Sequence, residues 1–325
     1  MNAADLYSPH DARPGIPPAR VPWGAVAVFV VLAVGLGWLV CLPLWLGEGL
    51  ASPQFQLFAT ALMATPTIAA LIVVFAAVPK GARARYLGLM PFRPVARKIW
   101  VIVLWPFLFL AVAFAALLLA SLFGWVDVDP ALAAVQQNLD MLGVEMDAGL
   151  YVAMQFVMLP IVLVQASAAA FGEELGWRGY LTTALSPMGF WPSAIVIGVI
   201  WGAWHAPIIL LGYNFGRTDA LGVVFMIVFC LLLSVILQWS RYFTRSVWPA
   251  AVGHGALNTA FVYPMFWVQQ PDPLLGSAVG VPGWIVLAIV IVAMVAARAF
   301  RPGPDWTPRV APVQAPLPQA PDPRP

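Results

Sequence analysis

The sequence predicts an all-α polytopic membrane protein, a bundle of about eight transmembrane helices. Three observations carry that prediction. Hydrophobic residues make up 62% of the 325 and charged residues only 9%, where a soluble domain carries about 25% charge. Apolar stretches of about twenty residues, long enough to cross a bilayer as helices, recur along the chain. None of them shows the apolar–polar alternation of a transmembrane β-strand.

Taken in order, residues 1–22 are polar and proline-rich and read as a disordered tail. No signal peptide is expected here, because the apolar run that follows is too long for an h-region and has no evident cleavage site. The candidate spans are 23–47, 55–79, 99–124, 150–182, 190–213, 219–240, 246–266 and 282–300. Residues 301–325, RPGPDWTPRVAPVQAPLPQAPDPRP, form a second proline-rich tail expected to be disordered. The membrane domain is thus 23–300, with the polar motifs confined to 150–266. No internal repeat and no second soluble domain is visible. Cys41 and Cys230 both fall in apolar runs and read as buried small hydrophobes, with no disulfide framework or metal knuckle implied.

Lys and Arg set the orientation. The segment KGARARYLGLMPFRPVARK, between the second and third spans, holds Lys80, Arg83, Arg85, Arg93, Arg97 and Lys98. Arg13 and Arg20 precede the first span, and Arg241 and Arg245 lie between the sixth and seventh. Arg298, Arg301, Arg309 and Arg324 lie at or beyond the last. Eight alternating crossings put all of these on one side with Arg178, leaving only Arg217 of the 16 basic residues opposite. The 125–148 loop carries Asp127, Asp129, Asp140, Glu145 and Asp147, has no base, and falls outside. Both termini are therefore expected in the cytoplasm, with the protein in a bacterial cytoplasmic (inner) membrane.

Ionisable groups at membrane depth are costly and face the bundle interior. Outside tails and polar loops, Glu173, Glu174, Arg178, His205 and His254 remain. The acids sit in FGEELGWRGY, residues 171–180, after an uncharged run from about Tyr151. On a helix Glu174 and Arg178 are four apart and share a face, which suits a charge-assisted pair. Glu173 is rotated by about 100° from its neighbour and is free to serve another partner. His254 and Asn258 are also four apart, and His205 follows Trp201 at the same interval, with Trp204 beside it. Each has a structural reading too: a helix-end ion pair, interhelical histidines, a packing asparagine, interfacial tryptophans. Their concentration in three helices weakens that reading. Together they supply what amide hydrolysis needs, namely a base, a second water-binding group and oxyanion donors. There is no HExxH zinc helix, no GxSxG elbow and no pair of intramembrane aspartates, so a glutamate is the best available base.

EELGWR, residues 173–178, resembles the EExxxR motif of the CPBP family, the intramembrane CAAX prenyl endopeptidases and the bacterial proteins related to bacteriocin processing and immunity. WGAWH, ending at His205, resembles the family's FxxxH motif, and HGALN, residues 254–258, its HxxxN motif. Trp201 stands where the eukaryotic pattern has phenylalanine. The resemblance implies an intramembrane endopeptidase with Glu173 as general base and His205 helping to bind and polarise the water. It further implies that His254 and Asn258 donate to the oxyanion while Glu174 and Arg178 support the site. Trp201 and Trp204 are the candidate substrate-pocket residues. The implied catalysis is metal-independent, so no cofactor is expected. The alternative is a zinc protease using Glu173, His205 and His254 as ligands.

The expected partners are the bilayer and a peptide or membrane-protein substrate, with no nucleic acid. Two readings come from other classes. A proton-coupled transporter or channel would need ionisable stepping stones, which spans one, two, three, six and eight do not offer. A non-catalytic immunity or scaffold protein would keep the fold alone. The site also makes a geometric demand, because counting puts Glu173 near the inner end of its span and His205 about 22 Å along the next. They meet if the fourth helix continues to about Leu185, ending at Ser186 and Pro187, and if Gly202 and Pro207 distort the fifth.

Overall fold

The computed structural model describes residues 18–300, apart from 91, 94 and 270. Most of the first proline-rich tail and all of the second, with His10, Arg13, Arg301, Arg309 and Arg324, lie outside the described residues. The helices run in the order α1 (Trp23–Leu46), α2 (Phe55–Ala77), α3 (Arg83–Tyr86), α4 (Val95–Leu122), α5 (Ala133–Met141) and α6 (Ala148–Glu174). They continue as α7 (Thr182–Leu185), α8 (Phe190–Trp204), α9 (Ala206–Ile209), α10 (Ala220–Thr244), α11 (Trp248–Ala260) and α12 (Val281–Ala296). Among the described residues, β structure is confined to an isolated antiparallel bridge between Val128 and Val268.

All the predicted spans are helical, but their lengths differ. α1, α2, α4, the run from Ala148 to Met188, and α10 are long and apolar enough to cross a membrane. α8, α11 and α12 have 15, 13 and 16 residues, short of the ~20 that a bilayer crossing needs. Proline accounts for two of these lengths, since it removes a backbone donor and clashes with the preceding turn. Pro207 follows closely on the end of α8, where His205 turns the chain into α9. Pro249 is tolerated in the first turn of α11, and Pro264 lies in the 3-10 turn Tyr263–Trp267 that replaces its continuation. Enclosure by protein permits such short pieces. α11 packs on α6, α4 and α10, and α8 packs on α10.

Outer helices divide cleanly between core and lipid. Phe29, Val101, Trp105 and Phe109 are buried, while Val31, Leu39, Phe107 and Leu118 are largely exposed, an apolar surface suited to acyl chains. Between helices in lipid the gain comes from close packing rather than escape from water, which favours small residues. Gly202 illustrates this beside the break at His205, whose N donates to Gly202 O at 3.2 Å. A Cβ on Gly202 would lie 2.4 Å from the Ile227 Cα, so its role is to let α8 and α10 touch. Of the five long spans, the one that includes α6 has the least buried apolar window. α6 leans on α11 and α2, yet only 6% of the most apolar window in the run Ala148–Met188 is buried.

The charge pattern appears in space. Arg97 lies over the Phe243 ring at 5.4 Å, Val247 N donates to Gly88 O at 3.0 Å, and Trp239 Nε1 donates to Ala299 O at 3.1 Å. The basic 80–98 segment, the end of α10 and the end of α12 therefore share one end. At the other, Asp129 N donates to Trp267 O at 2.8 Å. The Asp129 carboxylate accepts from Gln269 Nε2 at 2.8 Å, Ala133 N at 2.7 Å and Ala131 N at 3.0 Å.

Candidate active site

The adjacent acids sit where α6 changes its winding. Asp147 caps the start of α6, accepting from Leu150 N at 2.9 Å. After Glu174 the chain forms a π-helix, Leu175–Leu181, then α7 and the 3-10 turn Ser186–Met188. The helical run thus continues to Met188, meeting the geometric demand: Glu173 lies well inside the run rather than at its end. Single π-turns inside helices recur at functional sites. Here the turn lies directly on α2, for a Cβ at Gly176 would sit 2.5 Å from Pro66 Cβ and 2.8 Å from its carbonyl oxygen. Only a glycine permits that approach.

Glu173, Glu174 and Arg178 are all buried, and the two acids have different partners. Glu173 Oε2 accepts from Trp201 Nε1 at 2.7 Å. Glu174 Oε1 accepts from Arg178 Nη1 at 2.7 Å and lies 3.0 Å from His254 Nδ1. The Arg178 guanidinium also covers the Trp201 ring, with Cζ 4.3 Å from the centroid, a cation–π contact that helps a buried cation. His254 meets the same ring edge-on at 5.2 Å. Trp201 thereby joins Glu173, the arginine and an imidazole. Removing one member of such a buried network leaves an uncompensated charge, at a cost of about 3–5 kcal/mol.

His205 sits at the break between α8 and α9. Its Nδ1 is 2.9 Å from the Trp201 carbonyl oxygen. A carbonyl only accepts, so Nδ1 carries the proton and Nε2 is the acceptor of the neutral ring. Trp204 packs edge-on against His205 at 4.7 Å and donates Nε1 to Thr65 Oγ1 at 3.1 Å. Glu173 and His254, and likewise His205 and His254, are near enough to interact electrostatically. The geometry therefore gathers Glu173, Glu174, Arg178, His205 and His254 around Trp201. Asn258 lies one turn beyond His254 on α11 and is exposed.

Trp201 and Trp204, considered above as pocket residues, are each 1% exposed. Their indole N–H groups are engaged, so they brace the acid and His205 rather than line an open surface. Among the described residues, no group of three or more His, Cys, Asp or Glu side chains could hold a metal ion. Glu173, His205 and His254 do not form such a group. Sequence reasoning missed the π-turn, Trp177 and Arg241. Trp177 is fully buried, edge-on to Phe29 at 5.5 Å and to Trp204 at 5.8 Å. Arg241 donates to the Arg178 carbonyl at 2.9 Å, a contact between residues distant in sequence that no local pattern announces.

Comparison with known proteins falls on this same region. The family model described as type II CAAX prenyl endopeptidase Rce1-like matches residues 155–260, which include every site residue named above from Glu173 to Asn258. The chain is also similar to CAAX prenyl protease 2 of Methanococcus maripaludis, 36% identical over 58 residues. That stretch is 18% of this chain and 21% of the relative, so the match spans about a fifth of the relative's length.

Proposed function

We propose that the protein is an intramembrane endopeptidase acting on a membrane-associated, CAAX-like protein or peptide, a reading supported by the match of residues 155–260 to the type II CAAX prenyl endopeptidase Rce1-like family model. One observation carries the proposal: two adjacent buried acids with separate duties, Glu173 held by an indole N–H and Glu174 bound to Arg178 and His254. Such a division supports one acid for chemistry and one for structure.

In this mechanism Glu173 takes a proton from water as the water oxygen bonds to the scissile carbonyl carbon. His205 offers Nε2 to the same water, its Nδ1–H being committed to Trp201 O. The carbonyl electrons move onto oxygen, where His254 donates Nε2–H and Asn258 gives a second hydrogen bond. Collapse breaks the C–N bond, and the proton on Glu173 passes to the leaving amine. Arg178 holds Glu174 in place on His254 Nδ1. No step in this mechanism calls for a metal. By the positive-inside rule we place the basic end, and both termini, in the cytoplasm.

The test uses full-length protein in liposomes with a fluorogenic farnesylated CAAX peptide. Wild type should release the C-terminal fragment, and Glu173→Gln and His205→Ala should not. Chelators should leave the rate unchanged, and metal analysis should find no stoichiometric zinc. Equal cleavage by Glu173→Gln would overturn the assignment, and chelator-sensitive cleavage with bound zinc would restore the metalloprotease alternative.

A further inference from the structure

Arg241, near the end of α10, has the sequence signature of a loop cation, yet it is only 8% exposed. Its Nε donates to the Arg178 carbonyl at 2.9 Å, and its Nη2 lies 3.4 Å from Thr183 Oγ1. Thr183 Oγ1 is itself 2.7 Å from Tyr86 O and 3.0 Å from Gly179 O. The backbone at Gly88 closes over the guanidinium. A Cβ there would lie 2.6 Å from Arg241 Nε and 2.7 Å from Cζ, and Gly88 has φ +69°. Burying a cation against a carbonyl and a hydroxyl is expensive in itself, so what the contact gains is geometry. It ties the 80–98 segment and α10 to the backbone of the π-helix, at the residue whose side chain holds Glu174.

We propose that Arg241 is a positioning residue for the candidate active site. Held by the Gly88 strap, it fixes the Arg178 carbonyl, and the chain Arg178–Glu174–His254 passes that constraint to the orientation of the His254 ring. The effect on catalysis rests on the endopeptidase reading, whereas the effect on the imidazole does not.

The chain has 3 histidines, so ring nitrogens of ¹⁵N-histidine-labelled, full-length protein in nanodiscs can be followed individually by NMR. Arg241→Lys keeps the charge but replaces a two-point fork with a single ammonium. The His254 ring signals should move while those of His205 stay, with the melting temperature close to wild type. On the farnesylated reporter, kcat should fall about 10- to 100-fold, the scale of a small misplacement of catalytic groups, with KM nearly unchanged. Gly88→Ala, which drives a methyl group into the guanidinium, should reproduce the His254 shift and decides the question if Arg241→Lys does not fold. Unchanged His254 signals in the folded variants would overturn the proposal. So would His205 and His254 signals moving together with a large loss of melting temperature, the mark of a merely structural residue. Should wild type cleave nothing, the endopeptidase reading falls, and the His254 spectrum still decides the role of Arg241.

Discussion

Trp201 gives the clearest single-residue lesson. The family pattern carries phenylalanine at this place, and phenylalanine could cover Arg178 and flank His254 but could not donate to Glu173 at 2.7 Å. Trp201→Phe isolates that one N–H. A hydrogen bond to a charged group is worth about 1.5–3 kcal/mol, so kcat on the reporter should fall about 10- to 100-fold with the fold intact by thermal unfolding. An unchanged kcat would mean the N–H is structural decoration. Asn258 offers the complementary case. Because it is exposed, its truncation should leave the melting temperature alone. As an oxyanion donor it should nevertheless cost about 10²- to 10³-fold in kcat, and wild-type turnover by Asn258→Ala would remove it from the mechanism.

At the scale of elements, what the sequence disclosed follows from how local each signal is. Spans were legible because apolar length is a property of one segment, and the Glu174–Arg178 pair because residues four apart on a helix meet. The π-turn was not legible, since it depends on Gly176 lying against Pro66 of another helix. The bracing roles of Trp201 and Trp204 were hidden for the same reason, their partners Glu173 and Thr65 being on other helices. The loops at the acidic end make a prediction of their own. Asp129 is held below the usual carboxylate range by the Gln269 amide first, and then by backbone N–H groups including Ala133 and Ala131. A depressed value contributes stability above the unfolded pKa and loses it as pH falls through the folded one. Hydrogen-exchange protection factors in 127–133 and 267–269, referred to the intrinsic rate at each pH, should therefore fall on acidification below the ordinary carboxylate range. In Asp129→Ala the same segments should already exchange fast at neutral pH.

For the whole molecule, the basic residues of 80–98 share one end with the close of α10 and of α12, while Asp129 and its loop occupy the other. Single cysteines at Arg85 and at Asp140, in a background lacking Cys41 and Cys230, turn this into a topology experiment. An impermeant thiol reagent added to intact cells should label position 140 and spare position 85, and the reverse pattern would invert the orientation.

The exposed flank of α6 has a physical consequence. Protein supports this helix on one side and acyl chains supply the other half of its bearing, so membrane thickness helps set its lean. Any change of lean carries the acid at 173 past the indole of Trp201, which rides on a different helix. Turnover in vesicles of graded lipid length should therefore peak at one thickness and decline on both sides, while a flat profile would mean that protein contacts alone hold α6 upright.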